Sequence, residues 1–187
     1  MTAQGAGPTY DVVLLVEQAI SPQDAQQIRG LHEEIENEGE HVRYHILLPV
    51  EDAAARVESA MGSLAASEVL ASPALVMDET DLENIQHELL DTARQQLSGC
   101  IKQLTDTGAD AVGDIVSIDP IDALAAKVKA IDGREAIILT HPHTVAEFFH
   151  LDWTSRARRK IGVPVLHLLE HETFDEQAGG GEGVTGL

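Results

Sequence analysis

Cations are scarce in this chain, with 12 Lys and Arg against 32 Asp and Glu and a formal net charge of -20. That balance excludes nucleic acid and anionic membrane as natural partners, since either polyanion would be repelled. Cysteine is scarcer still. Cys100 stands alone, which excludes an internal disulfide and a cysteine-based zinc site. No apolar run approaches the roughly 20 residues needed to span a bilayer. The segment 1–8 has neither a charged nor an apolar leader pattern, so a soluble cytoplasmic protein is expected. Standard chemistry is missing too. No Walker-type phosphate loop, no Gly-x-Gly-x-x-Gly after a strand, no Gly-x-Ser-x-Gly and no His-Glu-x-x-His occurs.

What is present is a core former. At 43% hydrophobic content, 187 residues suffice for one domain burying about 70% of its unfolded surface. One domain over residues 9–170 is expected, between a flexible segment 1–8 and an acidic, Gly-rich tail 171–187 that cannot repay the entropy of ordering. The run YDVVLLV from Tyr10 to Val16 is almost wholly apolar, as a central parallel strand covered on both faces requires. Ser21 and Pro22 then start a helix, with Ala25, Ile28, Leu31 and Ile35 at helical spacing and Gly39 as its stop. A second strand is expected from His41 to Leu48, and a helix from Glu51 to Met61.

Residues 62–78 have no clean period and read as an irregular insertion. From Asp81 a long helix declares itself through Leu82, Ile85, Leu89, Ala93, Leu97, Ile101 and Leu104, with Cys100 beside the stripe as a buried, inert thiol. Strands at 110–118, 135–140 and 164–169 alternate with helical segments from Pro120 to Ile131 and up to Lys160. This alternation predicts βαβ units around a parallel sheet, whose ligand sites lie at the carboxyl ends of the strands.

The unusual chemistry falls between Thr140 and Lys160, which hold three of nine histidines, two of three phenylalanines, the only tryptophan and four of twelve cations. His141 and His143 lie just past a strand end. With His150 or Glu147 they offer a ligand set for a divalent metal, or they serve as loop histidines bonded to backbone; no metal is assigned. Asp152 or Thr154 can cap a further helix whose free N–H groups, with Ser155 and Arg156, form an anion site; alternatively the cations 156–160 pair with surface carboxylates. Phe148, Phe149 and Trp153 are expected to be core or interface anchors. Glu17 follows the first strand, where a carboxylate can accept hydrogen bonds from a base or ribose.

Two segments carry a resemblance to a known family: Val112 to Asp114 with Ile118-Asp-Pro-Ile-Asp-Ala-Leu124, and Gly162-Val-Pro-Val-Leu-His-Leu168. In element order from Asp11 to Glu170 the chain resembles the universal stress proteins. The resemblance implies a Rossmann-like, doubly wound α/β fold with five parallel strands in order 3-2-1-4-5 and a homodimer through the last strand, here Val165, Leu166, Leu168 and Leu169. Where ATP-binding members carry Gly-x-x-Gly, nine residues and Gly-Ser/Thr, this chain has Thr140, His143 and Trp153 before Thr154. The implied role is a non-enzymatic stress-response or interaction module without a cofactor. A receptor for ATP or a small anion along Glu17, Thr140, His141, His143, Thr154, Ser155 and Arg156 is the second reading, and an adenine-nucleotide hydrolase-like enzyme the third.

Overall fold

The computed structural model describes residues 9–50, 79–140 and 159–170. Within them five parallel strands form one sheet in the order β3-β2-β1-β4-β5: β1 Thr9–Val16, β2 His41–Pro49, β3 Asp110–Val116, β4 Glu135–Thr140 and β5 Val165–Leu169. Helices α1 (Pro22–Gly30), α2 (Glu33–Asn37), α3 (Glu79–Asp106) and α4 (Pro120–Ile131) complete the order. This is the expected doubly wound fold. The segments 1–8, 62–78 and 171–187, and the helix expected from Glu51 to Met61, lie outside the described residues.

Alternation along the central strands divides the core. Val12, Leu14 and Val16 of β1 join Val42, Ile46 and Leu48 of β2 on one face, beneath Ala25 and Ile28 of α1 and Ala93, Leu97, Cys100 and Leu104 of α3. On the other face Val13, Leu15, Leu47 and Ile138 pack against Ile121, Leu124 and Val128 of α4. Both faces of β1 are therefore dry, which is why its sequence carries no polar alternation after Asp11. Cys100 lies inside the α3 stripe, fully buried, while Ile101 is only half-buried. Burial holds the thiol's pKa above its ordinary value, as an inert cysteine requires.

Local signals set the helix starts. Ser21 Oγ accepts the Asp24 N–H at 3.1 Å and Asp24 Oδ2 accepts the Ser21 N–H at 3.0 Å, a reciprocal capping box with Pro22 in the first turn. Asp119 Oδ1 accepts N–H groups from Ile121 and Asp122, both at 3.0 Å, ahead of α4. Two expectations need correction. The helix that begins at Pro22 does not run to Gly39; it breaks after Gly30, and α2 restarts at Glu33. The strand expected at 110–118 ends at Val116. Its partner β2 ends at Pro49, the last ladder bond is Val50 N–H to Val116 O, and Asp119 then turns the chain into α4.

Candidate functional site at the carboxyl edge

The chain leaves β1 toward β2 on one side, while β4 lies on the other, so the crevice past the ends of β1 and β4 is the topological switch point. Register places Val16 opposite Leu139. Glu17 and Thr140, both predicted site residues, are the next positions on the two strands. His141, His143, Thr154, Ser155 and Arg156 lie outside the described residues, as do His150 and Trp153.

Around Glu17 and Thr140 the structure gathers residues that sequence reading missed. Thr140 is buried, with its Oγ1 2.8 Å from His167 Nε2 across β4 and β5. Desolvation holds the His167 pKa below its ordinary value, so the ring is neutral at pH 7. Gln18 donates from Nε2 to Glu170 Oε2 at 2.7 Å, joining the end of β1 to the end of β5 over the buried Cys100, whose thiol points to the Gln18 carbonyl at 3.5 Å. Glu170 is itself buried, and its N–H donates to the Thr140 carbonyl at 2.9 Å. The available signal was positional. His167 is a polar residue inside an apolar strand, and Glu170 is the first residue past that strand's end.

The edge thus carries two carboxylates, Glu17 and Glu170, and a hydroxyl engaged with an imidazole. Of the carboxylates only Glu17 is partly exposed; it suits a ligand's hydroxyl or amine donors and opposes its phosphates, with Glu170 buried behind it. Among the described residues no cation and no glycine stands at the carboxyl ends of β1, β4 or β5, and no group of three or more His, Cys, Asp or Glu is arranged to hold a metal ion.

A second polar constellation lies at the opposite, amino edge of the sheet. His32, between α1 and α2, is 1% exposed. Its Nε2 is 2.9 Å from Glu135 Oε1, and its Nδ1 is 3.1 Å from the Ile28 carbonyl and 2.9 Å from the Tyr44 hydroxyl. Tyr10 donates its hydroxyl to Glu135 Oε2 at 3.1 Å. Burial alone would raise the Glu135 pKa, but the His32 hydrogen bond and charge, with the Tyr10 hydrogen bond, outweigh it and hold the carboxyl below its ordinary value. Burial also raises Tyr44 and Tyr10, so both phenols stay protonated.

Comparison with known proteins yields no matching family model and no matching curated protein. Solved structures do match. A hypothetical protein whose biochemical function was assigned from its structure superposes with a TM-score of 0.57 at 14% identity, over 88% of this chain and 99% of that one. A universal stress protein family protein from Arabidopsis thaliana with AMP bound gives 0.49 at 12% identity, over 86% and 92% of the two chains. The universal stress protein from Archaeoglobus fulgidus gives 0.48 at 13%, over 85% and 93%. The five-stranded parallel sheet in the order 3-2-1-4-5 belongs to a fold that the first of these structures shares over nearly its whole length.

Proposed function

We propose that this universal-stress-protein-like domain works as a non-enzymatic stress-response or interaction module, with a carboxyl edge unsuited to tight ATP binding. The observation that carries the reading is the acidic edge, where Glu17 and Glu170 stand at the ends of β1 and β5 and the Thr140 hydroxyl is bonded to His167. A triphosphate brought there meets the Glu17 carboxylate, and it approaches through the field of a protein of net charge -20. The glycines that let backbone amides approach phosphates are replaced at Thr140, His143 and Trp153. Calorimetric titration with ATP is expected to give a dissociation constant weaker than about 100 μM, an affinity of about 5.5 kcal/mol or less. Nucleotide co-purifying with the protein, or micromolar affinity lost in Thr154→Ala, would establish the receptor reading in its place.

The same reading includes a homodimer through β5. That strand pairs only with β4 among the described strands, leaving a row of unpaired backbone groups, and a second copy closes such an edge by two-fold symmetry. Val165, Leu166 and Leu169 are half-buried, whereas Leu168 is fully buried in the chain's own core, so Leu166 is the residue to test. Light scattering at micromolar concentration should return twice 20.1 kDa for the native protein and 20.1 kDa for Leu166→Lys. A native protein that is already monomeric excludes the dimer.

A further inference from the structure

At the amino edge, away from the carboxyl-edge crevice, the α1–α2 corner and the start of β5 enclose a pocket of about 320 Å³. Its walls are apolar, from Leu31, Ile35, Pro164 and Leu166, and its polar groups are His32 and Glu135. A concave, mostly apolar cavity with one or two fixed polar groups is the usual form of a small-molecule site. Leu31 is 36% exposed here, a large apolar side chain that the fold leaves partly uncovered.

Glu135 gives the pocket its chemistry. An ionised carboxylate accepts at about four lone-pair positions. Two protein donors are seen on it, His32 at Oε1 and Tyr10 at Oε2, one on each oxygen. These donors fix the carboxylate's orientation before any ligand arrives and leave acceptor capacity at a wall of the pocket. The surrounding field is negative. Glu33, Glu34, Glu36, Glu38 and Glu40 cluster on and around α2, against Arg29, which pairs with Glu36 at 2.9 Å, and Arg134, which lies 5.1 Å from the Tyr10 ring centre.

We propose that this pocket binds a small primary ammonium ion with an apolar body, its N–H groups on Glu135 and its alkyl chain against Leu31, Ile35 and Leu166. Preorganisation favours the complex, because the carboxylate needs no rearrangement to accept the ligand's donors. Charge selects the ligand. A carboxylate or phosphate of the same size would face Glu135 and the acidic α2 corner, and a neutral alcohol would forgo the charge-assisted hydrogen bond.

The test is a methyl-resolved NMR titration of the full chain with n-hexylammonium chloride, using 1-hexanol as the neutral counterpart. Saturable shifts confined to the methyls of Leu31, Ile35 and Leu166 are expected, with hexanol at least about tenfold weaker for lack of the charge-assisted bond. Binding should persist in about 1 M salt, where the screening length falls to about 3 Å, because a partly buried contact is screened far less than surface attraction. Glu135→Gln should weaken hexylammonium at least about tenfold through loss of the same charged acceptor. Equal affinity for hexanol overturns the proposal, as do shifts scattered over the acidic surface that vanish in salt, or no saturable binding because a second copy covers the pocket. The first two comparisons use the native protein, so a Glu135→Gln variant that fails to fold leaves the test intact.

Discussion

His32→Leu should lower the unfolding free energy by about 3 kcal/mol, the loss expected when a buried hydrogen-bonding partner is removed and a carboxylate is left without its donor. The substitution leaves Glu135 Oε1 without its donor, and it deprives the Tyr44 hydroxyl and the Ile28 carbonyl of the ring nitrogen that meets both. Ile28 O lies in the last turn of α1, where carbonyls have no helical partner ahead of them. For a chain of this size the loss corresponds to a melting temperature about 10 °C lower. Urea denaturation of native and variant protein measures it, and a loss below about 1 kcal/mol would show that the network is dispensable. The double variant His32→Leu/Glu135→Leu should recover part of the deficit, since no carboxylate is then left without its donor.

The same network predicts an acid limb. Because the Glu135 pKa is lower in the folded protein than in the unfolded chain, its contribution is fully present above the ordinary carboxylate value of about 4.3 and is lost as pH falls through the lowered one. Removal of His32 takes away the largest influence that lowers it and leaves only the Tyr10 hydrogen bond, so the variant should lose less stability than the native protein over that range.

Gly113→Val should cost about 2 to 3 kcal/mol by overpacking. Gly113 is opposite Ile46 in the β2–β3 ladder and beneath Leu97 of α3. A Cβ placed there would stand 2.5 Å from Leu97 Cδ1 and 3.3 Å from both the Cβ and the carbonyl oxygen of Ile46. Leu97 can turn aside, but the strand backbone cannot, so even Gly113→Ala should lose about 1 kcal/mol. Pairing it with Leu97→Ala should give less than the sum of the two single losses, because the smaller side chain vacates the space the new methyl needs. Gly113→Val with unaltered stability in urea would mean that α3 does not approach β3 this closely.

Much of the fold was legible because its signals are local. The apolar run of β1, the Ser21–Asp24 capping box, the Asp119-Pro120 start of α4 and the α3 stripe at Ala93, Leu97 and Leu104 each depend on residues within a few positions of one another. Where spacing alone was followed, it misled. Leu31 continues the helical pattern of Ala25 and Ile28 yet is 36% exposed, while its neighbour His32 is 1% exposed. Burying a histidine is costly unless its nitrogens find partners, and the partner at His32 Nε2 is Glu135, 103 residues away. The carboxyl edge divides the same way. Glu17 and Thr140 followed from their place at strand ends, whereas Gln18, His167 and Glu170 joined the site only through contacts between β1, β4 and β5.

By itself, then, the sequence determined the doubly wound parallel sheet and the chain's acidic balance, because hydrophobic period, capping chemistry and net charge are properties of neighbouring residues or of the whole composition. The tertiary structure decided which polar groups are buried and what satisfies them. It turned His32 inward onto Glu135 and Tyr44, closed Gln18 onto Glu170, and brought Leu97 down on Gly113. Each of these joins different elements of the fold, from 12 positions apart for His32 and Tyr44 to 152 for Gln18 and Glu170. A buried polar atom or a close approach is settled by the partner that the fold delivers, which the residue's immediate neighbours in sequence do not specify.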